Sequence, residues 1–459
     1  MMSQPFTVPQ QSPLSVSVAH EVHSASDTLS NTPVENPSTN TEPQKTEVAT
    51  RITSHHWLVF FGCWLGGAFD GMDSNLFSVM LPDALKALLM NPSADQMAHW
   101  GSIISFVFLI GWMLGGVVFG YVGDRYGRVK AMIGSILLYS LSTGLAGLAQ
   151  TAPQLAAFRF LTGLGIGGEL VSIATLLSEV WPERSRALAV GSLLTSYQMG
   201  VLLSGVLAKY FHDWRTVFLV GALPALSTVF LRLKMEEPEK WQQAKSSINQ
   251  GKAPTFLDLW RLLWQDTLLR KRLCVGATVF GALLVGYWAS LVWIPTWIHS
   301  LADVPSEAKA NATMWHGACA MVGCLLAGPV MNLIGRRWSI LIGFTLCFVA
   351  SALLFWGQTH FDTSIYWKDG LLGATIGFTQ AGLYIWLPEL FPTQVRATGM
   401  GVTLNMGRLC AAVAALNVGA IVVMFHGQYG KAALAFASVY LLGALAAYWG
   451  DETKGQVLQ

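Results

Sequence analysis

Twelve stretches of about twenty mostly apolar residues recur along the chain, at 57–80, 99–121, 130–149, 153–178, 187–208, 214–233, 272–299, 311–334, 337–357, 368–390, 397–424 and 429–449. At 1.5 Å rise per residue, each is long enough to cross roughly 30 Å of hydrocarbon as an α-helix. Most of the polar breaks between them are short, and two segments stand apart. Residues 1–55 are rich in Ser, Thr, Pro, Gln and Asn and almost lack aromatics, a composition that cannot bury enough apolar surface to fold. The tail holds no apolar core resembling a signal peptide, so the first span is expected to direct insertion. Residues 234–271 contain "EEPEKWQQAKSSINQ" and "FLDLWRLLW", read either as short helices on the membrane surface or as a solvated linker. The pattern predicts an all-α polytopic membrane protein: a disordered tail 1–55, a six-helix bundle 56–233, a linker 234–271, a second six-helix bundle 272–450 and a tail 451–459.

Composition agrees. Only 12% of the 459 residues are charged, against about 25% in an ordinary soluble domain. The net charge of +2 gives no reason to invoke nucleic acid. Lys and Arg set the orientation: with both termini cytoplasmic, twenty lie on the cytoplasmic side. Only six face outward: Lys86, Lys209, Arg215, Lys309, Lys368 and Lys431. This is the bias of the positive-inside rule. Arg159 and Arg408 remain inside the membrane. All six cysteines fall within spans without metal-like clustering and read as packing residues. No cofactor is expected.

The chain repeats itself at an offset of about 210 residues. "GYVGDRYGR" from Gly120 matches "GPVMNLIGR" from Gly328, and "EVWPERSRA" from Glu179 matches "ELFPTQVRA" from Glu389. Gly163 and Gly167 fall on Gly373 and Gly377 at the same offset. Two parallel six-helix halves follow from this repeat.

These motifs, with "RFLTGLGIGGE" in the fourth span and "DWRTVF" entering the sixth, give the chain a resemblance to the major facilitator superfamily from about residue 55 onward. "FDGMD", "GGELVSIATLLSEVWPERSRA" and "PELFPTQVRATGMGVTLNMGR" resemble its group of proton symporters for aromatic acids, niacin and sialic acid. The aromatic-acid branch usually has a bulkier residue at Met72 and Thr at Ser74, so its substrate signature is altered here. The resemblance implies two pseudo-symmetric bundles rocking about a midplane cavity, in a monomer of the cell membrane. It also implies a cytoplasmic gate cluster of Asp124, Arg128, Glu179 and Arg186, with Glu389 and Arg396 as the second-half counterparts. No G-x-x-x-x-G-K-[ST] loop and no catalytic triad stand out, so an enzyme or ATP-driven pump is not expected.

Buried charge marks the chemistry. Counting helix rise, Asp70 lies ~20 Å, Asp73 ~24 Å, Arg408 ~18 Å and Arg159 ~21 Å from the inner surface, one common layer. A charge at mid-helix costs roughly 2.5–3.5 kcal/mol on insertion scales, so such groups face a cavity or one another. Asp70 and Asp73 share a helix face, and burial favours their protonated forms; with Glu169 they are the proton-coupling candidates. The alternative is a permanent ion pair with Arg159 or Arg408. Arg159 and Arg408 suit capture of a carboxylate substrate. Gln198, Tyr197, Tyr287, Trp288, Gln380, Tyr384 and Asn405 supply aromatic walls and polar anchors at mid-span. His316 reads as a packed or solvated histidine, with a proton relay as the alternative, and Trp297 as an interfacial anchor. Gly67, Gly71 and the Gly163–Gly168 series read as helix-packing positions. The expected function is a proton-coupled symporter importing a small organic anion. A neutral-solute carrier, an exporter or a non-transporting sensor are the alternatives.

Overall fold

The computed structural model describes residues 52–90, 92–181, 183–232, 261, 263–289, 291–392 and 395–454. The first half comprises α1 (Ser54–Leu89), α2 (Ala94–Tyr126), α3 (Arg128–Ala146), α4 (Ala152–Val180), α5 (Glu183–Tyr210) and α6 (Trp214–Arg232). The second comprises α7 (Thr267–Ala289), a 3₁₀ turn (Leu291–Trp293), α8 (Ile294–Ser300), α9 (Ala308–Ile334), α10 (Arg336–Phe355), α11 (Ser364–Glu389), α12 (Arg396–Met424), α13 (Tyr429–Ala437) and α14 (Val439–Trp449). Each predicted apolar stretch is helical over most of its described length. Residues 1–51 of the expected tail 1–55 and most of the linker lie outside the described residues; α1 begins inside that tail, at Ser54.

Local chemistry sets the ends. Ser93 Oγ accepts from the Gln96 amide at 3.2 Å while Gln96 Oε1 accepts from Ser93 N at 3.0 Å, a reciprocal cap that starts α2. Thr151 Oγ1 caps α4, with Pro153 in its first turn. Asp213 caps α6 through Thr216, whose hydroxyl and amide hold the carboxyl below its ordinary pKa. Beside it, Arg215 donates to the carbonyls of Gly147 (2.9 Å) and Ala149 (2.7 Å), fixing the end of α3 to the start of α6. The seventh span was expected to be a continuous α-helix; instead a 3₁₀ turn at Leu291–Trp293 leads into α8. Pro295, in the first turn of α8, lacks the N–H that a continuous helix would need.

The contacts repeat as the sequence does. In the first half α1 packs on α5 and α6, α2 on α4, and α3 on α4 and α6. In the second, α7 packs on α12 and α14, α9 on α11, and α10 on α11 and α14. The halves meet through α5 on α9 and α2 on α12, the same pair of spans exchanged. These are twelve membrane helices in two pseudo-symmetric bundles.

Glycines carry the repeat. A Cβ on Gly163 or Gly167 would meet the carbonyl of Phe108 or Trp112 on α2. On Gly373 or Gly377 it would meet the carbonyl of His316 or Ala320 on α9. Gly67, Gly71 and Gly200 bring α1 and α5 together in the same way. Gly377→Val is therefore expected to lower stability by about 1–3 kcal/mol, read as a lower Tm of the purified protein. Gly328→Ala, which meets open space, is the control expected to leave Tm nearly unchanged. At the loops joining α2 to α3 and α9 to α10, Gly127 (φ +123°) and Gly335 (φ +98°) adopt a backbone that L residues rarely take.

Candidate functional site

A cavity of about 60 Å³, room for a few waters, lies on the seam between the halves. Its walls are Leu109 and Trp112 of α2, Leu194 and Tyr197 of α5, Phe280 to Trp288 of α7, Ile376, Gln380 and Tyr384 of α11, and Arg408 of α12. Trp112 is the corner of an aromatic box: its ring lies 5.7 Å from Trp288 edge-on and 6.5 Å from Tyr197 stacked. The Arg408 guanidinium sits 5.7 Å from the Trp112 ring centre, and its Nη1 donates to Asn405 Oδ1 at 3.2 Å. Arg408 is 6% exposed, and among the described lining residues it is the one charged side chain.

Two hydrogen bonds cross the seam here. Gln198 Nε2 donates to Gln380 Oε1 at 2.8 Å, and Tyr287 Oη donates to Asn75 Oδ1 at 3.3 Å. Asn75 Nδ2 in turn donates to Gly71 O at 2.8 Å, inside the "FDGMD" turn of α1.

The intramembrane charges divide between the halves. Asp73, 2% exposed, accepts from Thr143 Oγ1 at 2.5 Å and from Arg159 Nη1 at 3.4 Å. Arg159 is fully buried, with its guanidinium carbon 5.3 Å and 4.8 Å from the ring centres of Phe77 and Phe218. Its Nε and Nη2 have no acceptor among the described residues. Asp73, Thr143 and Arg159 thus join α1, α3 and α4 within the first half. Asp70 is fully buried near Tyr197 of α5. Glu169 is fully buried on α4, ten residues from Arg159. The structure brings Asp73 to Arg159 and sets Arg408 against Trp112 at the cavity, so the two arginines serve different sites.

The two membrane faces differ. On the face of the "GYVGDRYGR" loop, the side chains of Asp124, Glu179 and Arg186 lie outside the described residues, and Arg128 opens α3. The second-half copy is described except at residues 393 and 394 and the side chain of Ala397. Arg336 donates to both Glu389 oxygens (3.2 and 3.3 Å) and to Asn332 Oδ1 (3.0 Å), while Thr453 Oγ1 donates to Glu389. Arg396 donates instead to the carbonyls of Pro388 and Phe391. Asp451 anchors the following segment through Arg272 at 2.8 Å and Lys271 at 3.2 Å. Burial raises the Asp451 pKa, and those two cations more than offset it, holding the carboxyl below its ordinary value.

The opposite face is where described bonds between halves gather. Asp83 pairs with Lys309, Lys209 with Glu307 at 3.0 Å, and Lys86 contacts His299 at 2.7 Å. Deeper in, Ser78 donates to Val292 O and the Gly419 amide donates to Ser102 Oγ at 2.8 Å. Trp297, expected as an interfacial anchor, is 3% exposed and packs edge-on to Phe355.

Sequence reasoning missed Trp112 and Phe280, aromatic residues that look like ordinary span packing. It also missed Asn75, which accepts from Tyr287 across the seam, and Asp369.

The sequence profile of the Major Facilitator Superfamily matches residues 63–415. A putative metabolite transport protein of Haemophilus influenzae is 30% identical over 418 residues, covering 90% of this chain and all of the relative. The cis,cis-muconate transport protein of Acinetobacter baylyi is 28% identical, covering 88% of this chain and 97% of the relative. Among solved structures, a D-xylose–proton symporter superposes with a TM-score of 0.69 at 19% identity, covering 88% of this chain and all of that one.

Proposed function

The chain belongs to the Major Facilitator Superfamily and is a membrane transporter of small molecules, and on that premise we propose that it is a proton-coupled symporter importing a small organic anion. The observation that carries the anion is Arg408: a buried guanidinium in an aromatic cavity on the seam, with Asn405 and no carboxylate as its described partner. A planar fork in a site of low polarity binds a carboxylate through two parallel hydrogen bonds. The relative named for muconate, itself a carboxylate, supports the same substrate class.

Asp73 is the proton carrier in this scheme. Ionised, it holds Arg159 and Thr143 and so ties α1 to α3 and α4; protonated, it loses the charge that seats Arg159. The proton thereby loosens the packing of α1 within its bundle. Asp70 and Glu169, both fully buried, are secondary candidates. With the "GYVGDRYGR" face in the cytoplasm of the cell membrane, the bonds gathered on the opposite face close the outside, and the cavity awaits inward opening.

A neutral-solute carrier is the competing reading. It fits Arg159, whose charge Asp73 balances, and it leaves Arg408 unexplained. Counterflow in proteoliposomes with a labelled panel of mono- and dicarboxylates and neutral sugars separates the two. Exchange of carboxylates alone is expected. Exchange of sugars alone contradicts the anion assignment, and exchange of nothing in the panel favours a non-transporting protein.

A further inference from the structure

A second buried acid–base pair sits in the second half, outside the substrate cavity. His316 of α9 is 3% exposed, and its Nδ1 lies 2.9 Å from Asp369 Oδ1 of α11, itself 1% exposed. An ionised Asp369 accepts, so Nδ1 carries the hydrogen and Nε2 is left a bare acceptor. Nε2 has no partner among the described residues. Gly373 lets α11 close on this imidazole: a Cβ there would meet His316 O and come within 3.1 Å of Nδ1.

The pair borders a cavity of about 20 Å³, space for a single water, on the seam between halves. Asn75 and Ser78 of α1 line it from the first half, with Thr313 and His316 facing them from the second. Both first-half groups are engaged: Asn75 Oδ1 accepts from Tyr287, and Ser78 donates to Val292 O. Those bonds cross the seam, and they must part if the outer face opens.

We propose that His316, seated by Asp369, is a second proton-binding site of the transport cycle, loaded from the outer face when the seam opens. This rests on the alternating-access reading above. In the open state water reaches Nε2, a proton adds there, and Asp369 balances the imidazolium. In the closed seam the site is shut off from bulk water, so the added charge loses the hydration that the open state gives it. A group that binds protons better in one state draws the protein toward that state as pH falls. One such proton shifts the open-to-closed ratio by at most about tenfold per pH unit.

Other titratable groups surround the pair and enter the test. Cys319 lies on α9 itself, within reach of Asp369. Toward the outer face stand Asp83 and Lys86 of α1, Lys209 of α5, His299 of α8, Lys309 of α9 and Lys368 of α11; Asp73 lies inward on α1. Of these, His299 is the one other histidine; it contacts Lys86 across the outer face, so His299→Gln is compared for its acid response and not for its pH 8 distance.

The experiment measures the distance across the outer face between spin labels at Tyr210→Cys and Ser306→Cys, in full-length protein with Cys274, Cys319 and Cys410 replaced by Ser. Wild-type background is expected to gain a long-distance population between pH 8 and pH 5.5, and His299→Gln to gain it equally. His316→Gln is expected to keep the short pH 8 distance and lose the acid response; Asp369→Asn is read the same way should the histidine variant not fold. A full acid response in His316→Gln, or none in the wild-type background, overturns the proposal. The parent reading fails differently, through absent carboxylate exchange in proteoliposomes, whatever the distances show.

Discussion

Asp73→Asn protein in proteoliposomes is expected to exchange carboxylate solute at a rate within about tenfold of wild type and to accumulate none against its gradient when a pH gradient is imposed. Asparagine has the shape of a protonated aspartic acid, so the variant is locked in the proton-loaded form. Its Oδ1 still accepts from Thr143, whose hydroxyl lies 2.5 Å from the native carboxylate. The charge facing Arg159 is lost. Breaking one side of a buried ion pair typically costs about 3–5 kcal/mol, so a lower Tm is expected beside the transport defect. Retained exchange shows that the fold survives and that the defect lies in coupling. If Asp73→Asn accumulates solute as wild type does, Asp73 is not the carrier, and the same assay on Asp70→Asn and Glu169→Gln finds the acid that is.

The second large effect is at Arg408. Arg408→Gln is expected to weaken carboxylate binding by about 10- to 150-fold, the loss of charge-assisted hydrogen bonds of about 1.5–3 kcal/mol, with Tm changed little. Arg408→Lys keeps the charge and loses the fork, and an intermediate defect is expected. The readout is ligand-induced thermal shift with the carboxylate that exchanges best in counterflow. A stabilising role alone predicts the reverse: a large fall in Tm with unchanged ligand response.

Much of the architecture is legible in the sequence, because twenty-residue apolar runs and the 210-residue repeat are one-dimensional signals. The glycines translate directly: Gly163 and Gly167 pack on α2 as Gly373 and Gly377 pack on α9. The 3₁₀ turn at Leu291–Trp293 is hidden, since "LVWIP" is apolar throughout and only Pro295 hints at it. Charge pairing is less legible. Counting residues gives depth along a helix and says nothing of rotation about its axis. Asp70 and Asp73 differ by about 60° around α1, enough to set one near Tyr197 of α5 and the other against Arg159 of α4. By residue count Arg159 and Arg408 share a depth, yet they belong to different bundles. Asp369 sits beside Lys368 at the start of a span, where a sequence suggests a solvated end, yet its partner is the buried His316 from 53 residues earlier.

The central claim is that carboxylate moves with a proton carried by Asp73. Its most direct test is the external pH of a lightly buffered proteoliposome suspension when the exchanging carboxylate is added with no membrane potential. Solute-dependent alkalinisation is expected in the wild type and none in Asp73→Asn. Solute entry at full rate with no pH change in the wild type would contradict the account.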